Sequence, residues 1–302
     1  MELGLQTAFR EITLVFFTTL APSGALAFVL MALPLIFGKT SQNIRATFNK
    51  FLCVPLLISM VGLVASATHL GNPSNALYVF LGVGQSPLSN EVFFAVVFLA
   101  LGGLYWLYSF TLKPSVTLSR LWLSLASLAA LGFIGAVCLA YDARTVITWQ
   151  LPTGPLSVLA NALLGAPYIT LACFAWIGEE GSSTKYQTVL RTLAATMVVV
   201  NAGIYAWQWF ALSDLANARV SAVDLVPHYW LYWTAFVLLE AAALLVSRHD
   251  KARFACCAEG KAPSSRFVFP AKLTTAALLS LAGIFVMRFV FYMMHMTVGL
   301  GV

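Results

Sequence analysis

"ITLVFFTTLAPSGALAFVLMALPLIFG", residues 12–38, carries no charged side chain from end to end. Coiled as an α-helix at about 1.5 Å per residue, it is long enough to cross a hydrocarbon core about 30 Å thick. Lipid offers no hydrogen bonds to a backbone, so a helix is the conformation in which such a run can sit there. Seven further apolar runs follow, at about 50–70, 88–112, 121–141, 155–177, 191–213, 227–247 and 272–297. The 302 residues are 60% hydrophobic and 9% charged. A soluble domain devotes about a quarter of its residues to charge, so this protein cannot cover itself with a water-compatible surface. The expected fold is all-α: a polytopic integral membrane bundle of eight transmembrane helices, forming a single transmembrane domain over 1–302.

The basic residues give that bundle an expected direction. Lys39, Arg45 and Lys50 lie between the first and second runs, Lys113 and Arg120 between the third and fourth, and Lys185 and Arg191 between the fifth and sixth. Arg248, Lys251, Arg253, Lys261, Arg266 and Lys272 lie between the last two. Cytoplasmic connections collect Lys and Arg, so these face the cytoplasm and both termini are expected outside, in the periplasm. The net charge of +6 then concerns the inner leaflet rather than a nucleic acid. "MELGLQTAFRE" has acids where a secretory signal has a basic segment, and no cleavage is expected. No Walker loop, dinucleotide fingerprint or metalloprotease helix occurs. Cys53, Cys138 and Cys173 fall within runs and Cys256 and Cys257 in a connection, which reads as packing and ordinary thiols rather than a metal site.

Within the runs, small residues (Gly24, Gly102, Gly103, Gly132, Gly135, Gly203) are expected to let helices approach closely. Pro34, Pro55 and Pro167 are expected near mid-span. The ionisable residues say more, because they are costly in a membrane and mark sites or pathways. His69 closes the second run and Glu91 opens the third; His228 and His295 lie at the same face, with Glu11 at the start of the first run. Arg288 lies deeper in that half, and Glu240 toward the other.

Each has a plain structural explanation. His69 precedes Gly71, a helix C-cap, where an imidazolium is favoured by the helix dipole. Glu91 follows Ser86, which can cap, and Pro87, which suits the first helical position, so the carboxylate can answer the dipole. His228 follows Pro227 at a helix start, and His295 suits an interfacial anchor. Arg288 and Glu240 each call for a partner on another helix.

The connection between His69 and Glu91 argues for more. In "THLGNPSNALYVFLGVGQSPLSNEVFF", residues 68–94, the linking segment is uncharged and its centre too apolar for water. It is expected to fold back and roof an apolar pocket walled by His69 and Glu91, with Tyr78 and Gln85 as further contacts. Such a pocket suits oxidation of a lipid-soluble quinol, which must shed two protons as its two electrons leave. Glu91 would be the proton acceptor and His69 the hydrogen-bond partner or relay. The residues alone leave open a proton-coupled transporter, although its site would be expected near the midplane. They also leave open a haem b anchor with axial histidines among His69, His228 and His295.

The stretch "ATHLGNPSNALYVFLGVGQSPLSNEV" resembles the dimethyl sulfoxide reductase membrane anchor family, in which a histidine in "HLG.P" and a glutamate in "SNE" are associated with menaquinol. The closing "RFVFYMMHMTVG" is similar to that family's last helix. The resemblance implies an anchor subunit of the bacterial cytoplasmic (inner) membrane with no metal or haem of its own. Its partners would be an iron–sulfur electron-transfer subunit and a molybdopterin-containing catalytic subunit, and its substrate menaquinol. By position His69 and Glu91 inherit the quinol-site roles, and Arg288, Tyr292 and His295 fall in the tail motif without a defined role.

Overall fold

The structure is a computed structural model that describes residues 2–38, 41–69, 73–112, 114–143, 145–178, 183–217, 220–248 and 265–297. Its helices are α1 (Glu2–Arg10), α2 (Ile12–Phe37), α3 (Gln42–Phe51), α4 (Cys53–Ala67), α5 (Pro87–Tyr108), α6 (Val116–Ala140), α7 (Thr153–Ile177), α8 (Thr184–Ser213), α9 (Tyr229–Val246) and α10 (Ser265–Met293). Eight segments among the described residues are long and apolar enough to cross a membrane, α3 and α4 together making one of them. Short 3₁₀ helices cover Pro73–Gly82 and Ala222–Leu225.

Boundaries follow local chemistry. Ser86 caps α5 by accepting from the Ser89 amide at 3.4 Å, and Pro87 takes the first helical position, where its missing N–H would have had no partner anyway. Ser115 and Ser183 cap α6 and α8 in the same way. α7 ends at Gly178, whose φ of 101° is open to glycine but strained for other residues. Pro22 and Pro34 lie inside α2 and Pro167 inside α7. Pro55, expected near mid-span, instead sits in the first turn of α4, where a missing donor breaks no helical bond. Gly71, the expected cap of the second span, and Cys256, Cys257 and His249 lie outside the described residues.

Three helices form the centre. In the apolar window of α7, 83% of residues are buried, and in α2 and α10 67% and 61%, against 22% in α9. α2 packs on α4, α6, α7 and α10, α5 on α6, and α9 on α10. Close approach rests on fewer glycines than expected. A Cβ at Gly24 would fall 2.8 Å from the Pro55 carbonyl oxygen and from the Ser59 amide nitrogen, so α2 and α4 touch backbone to backbone there. Gly102 and Gly132 face side chains, and Gly103, Gly135 and Gly203 have open space beside them. Gly62, against the Ala21 backbone, supplies a second close approach between α2 and α4 that a pattern of small residues did not single out.

Both termini meet the same end of the bundle, called here the terminal end. The Ile147 amide donates to the Met296 carbonyl at 2.9 Å, and Gly4 lies against the Leu225 and Met293 carbonyls. At the opposite end an Arg120 guanidinium nitrogen donates to the Gly38 carbonyl at 3.1 Å.

Candidate functional site

The chemistry-bearing residues gather at the terminal end. α5 presents Glu91 one turn into the bundle, where it is buried at 3% exposure. Among the described residues its Oε2 has no hydrogen-bond partner. Residues three or four apart share a helix face, so Glu91 lies beside Pro87 and close to Phe94. Both line a groove of about 850 Å³ between α5 and α6 that also includes Asn90, Gly135, Leu139 and Asp142. An orphaned carboxylate next to an oily groove can take a proton from a ligand lying there.

Beneath it, Arg288 on α10 is fully buried and joins the three central helices. Its Nε donates to Thr18 Oγ1 on α2 at 2.9 Å and its Nη1 to Ser157 Oγ on α7 at 3.4 Å. The guanidinium carbon lies 4.1 Å from the Phe291 ring centre, 5.2 Å from that of Tyr141 and 5.6 Å from that of Tyr292. Hydroxyls and ring faces, rather than a carboxylate, thus hold this charge. The partner expected for Arg288 on another helix is supplied, but by neutral groups.

The Tyr141 and Tyr292 hydroxyls lie 2.6 Å apart, and the Tyr292 hydroxyl donates to the Leu14 carbonyl at 3.3 Å. Burial pushes the Tyr141 phenol well above its ordinary range, Tyr292 and Glu91 add to the effect, and Arg288 opposes it. Tyr141 therefore senses Glu91 and the Arg288 cation together.

His69 makes a different contact from the expected one. Its Nε2 lies 3.2 Å from Glu11 Oε2, with the side chains 43% and 25% exposed. Glu11 also acts on His295, whose imidazole burial holds below its ordinary value while the carboxylate opposes that shift. His295 rests edge-on against Trp149, with ring centres 5.0 Å apart. His228 caps α9 with a left-handed φ of 61°. The three histidines thus each have a separate task at this end.

The linking segment forms the 3₁₀ helix Pro73–Gly82 and packs against α5. Leu77, Tyr78 and Leu81 are exposed, as is Gln85, so this apolar helix turns side chains outward, as suits a lipid interface. Tyr78 and Gln85 are not among the groove's lining residues. Glu240 stands apart, fully buried in α9, with neither carboxyl oxygen hydrogen-bonded among the described residues.

Sequence reasoning did not reach Tyr141, Thr18, Ser157 or the Glu11 contact. Thr18, Ser157 and Tyr141 are ordinary residues of apolar spans or their ends, and one sequence holds no signal that joins Tyr141 to Tyr292.

Residues 5–294 match the family model described as DMSO reductase anchor subunit (DmsC). The protein is 29% identical over 297 residues to the DmsC-type subunit of the anaerobic dimethyl sulfoxide reductase of Haemophilus influenzae, covering 98% of this sequence and 99% of that one. It is 27% identical over 299 residues to the corresponding subunit of the Escherichia coli anaerobic dimethyl sulfoxide reductase, with the same coverage. It is also 27% identical over 299 residues to the Escherichia coli anaerobic dimethyl sulfoxide reductase subunit YnfH, covering 97% of this sequence and 98% of that one.

Proposed function

Because the protein belongs to the DMSO reductase anchor subunit family, we propose that this multi-pass membrane anchor binds and oxidises menaquinol at the terminal end of its bundle. It passes the electrons to an iron–sulfur subunit, which feeds a molybdopterin-containing catalytic subunit. The membrane is the bacterial cytoplasmic membrane, with the terminal end facing the periplasm.

The observation that carries this reading is Glu91, a buried carboxylate whose Oε2 has no hydrogen-bond partner among the described residues, standing beside an apolar groove between α5 and α6. A hydroquinone entering from the bilayer lies in the groove with its ring toward Glu91. The O–H bond breaks as the proton moves to the carboxylate, and the two electrons leave through the partner's clusters. Asn90, which lines the groove, can hydrogen-bond a quinol oxygen, and Phe94 and Leu139 hold the apolar tail. His69 works from the neighbouring surface, through its contact with Glu11, rather than by touching Glu91.

The test compares oxidation of a menaquinol analogue by the assembled complex, at matched membrane levels, in wild type, Glu91→Gln and His69→Ala. Loss of quinol-driven reduction in Glu91→Gln, with electron transfer from a viologen donor intact, is the expected result. Wild-type quinol oxidation in that variant would overturn the acceptor role. Orientation is read separately: Gln85→Cys in a cysteine-free background is expected to react with a membrane-impermeant maleimide in intact spheroplasts. Labelling only after lysis would invert the topology.

A further inference from the structure

Resting on that quinol reading, we infer that the paired phenols of Tyr141 and Tyr292 carry protons from Glu91 to the terminal surface, where Glu11 and His69 meet solvent. Three placements support it. Glu91 is buried at 3% exposure, so a proton it accepts cannot simply pass to bulk water. The two hydroxyl oxygens lie 2.6 Å apart, a separation across which a proton moves between oxygens without rearrangement of the rings. Tyr292 reaches the Leu14 carbonyl, in the first turn of α2, and the Leu14 amide in turn donates to the Glu11 carbonyl at 2.9 Å. The Glu11 side chain is one-quarter exposed and touches His69.

The guanidinium sets the order of the hops. Arg288 stands 5.2 Å and 5.6 Å from the two phenol rings. A fixed positive charge disfavours an extra proton on either phenol and favours the transient phenolate. The relay therefore begins at its outer end. Tyr292 gives its proton toward the terminal surface and takes the proton of Tyr141, and Tyr141 takes the proton of the Glu91 carboxyl. Each O–H bond broken is matched by one formed, and Glu91 is left as a carboxylate ready for the next quinol proton. The quinol's electrons play no part in these transfers and leave to the iron–sulfur partner. Tyr141 and Tyr292 do not touch the quinol in this scheme and set how fast Glu91 is emptied.

The experiment uses the whole complex, with Tyr141→Phe, Tyr292→Phe and Glu91→Gln compared at amounts normalised by viologen-driven activity. Phenylalanine keeps the rings under Arg288 and removes only the hydroxyls. The expected result is a fall in kcat for quinol oxidation on the order of tenfold or more in both Phe variants, with KM unchanged. Proton release in oriented proteoliposomes, followed with a pH dye, is expected to slow by the same factor. Wild-type kcat in both Phe variants, with Glu91→Gln inactive, would overturn the relay and leave the quinol site standing. A raised KM with kcat intact would also overturn it, making the phenols ligand contacts. Full activity of Glu91→Gln would remove the quinol reading itself, and the relay with it.

Discussion

Nε2 of His69 lies 3.2 Å from Oε2 of Glu11, so the imidazole at the end of α4 is tied to the residue that links α1 to α2. Both side chains are partly exposed, and an ion pair in such a setting is worth about 0–1 kcal/mol. Glu11→Gln and His69→Gln are therefore expected to leave the melting temperature of the purified complex nearly unchanged. Quinol oxidation, in contrast, is expected to fall in each, and the double variant to be no slower than the slower single one. Additive losses in the double variant would show that the two residues act separately.

Arg288 is held by two hydroxyls and three aromatic rings instead of a carboxylate. A planar guanidinium can donate to Thr18 and Ser157 while lying over Phe291, and a lysine ammonium cannot do both. Arg288→Lys is expected to destabilise the assembled complex by about 1–3 kcal/mol, the scale of a desolvated cation–π contact with one hydrogen bond. Thermal denaturation in detergent measures it. An unchanged melting temperature would mean that the rings contribute nothing to holding the cation.

Much of this architecture is legible in the residues because lipid is a demanding solvent. The run at 12–38 has no other stable form there, and Ser86 and Pro87 begin α5 by chemistry that is local in sequence. The site is less legible. Glu91 is conspicuous as a carboxylate inside an apolar helix, but the Arg288 contacts join Thr18, Ser157 and Tyr141 from distant parts of the sequence. Nor does sequence separate Gly24, pressed against the α4 backbone, from Gly203, with open space beside it. Both are single glycines in apolar helices, and only the packing distinguishes them.

Gly135 supplies a test of the groove. It lines the space between α5 and α6, and a Cβ added there meets no atom within 4 Å. Gly135→Leu is therefore expected to fold and assemble while filling part of the channel in which the quinol tail lies. KM for a long-tailed quinol is expected to rise several-fold, with a much smaller change for a short-tailed analogue. Equal kinetics for both substrates would place the tail elsewhere.

Glu240 tests what the interior tolerates. Its carboxyl is fully buried in α9, and a Cβ at Gly283 would lie 2.9 Å from Oε1, so the side chain fills a tight place between α9 and α10. Glu240→Gln has the same shape and no charge, and is expected to reach wild-type membrane levels. Glu240→Lys puts an ammonium in that place. Burying an unpaired charge in a membrane interior costs several kcal/mol, enough to exhaust the margin of a typical fold. The lysine variant is expected to be lost from the membrane fraction, as read by immunoblot against the assembled complex. Equal levels of both variants would mean that water or a partner subunit reaches Glu240 in the assembled complex.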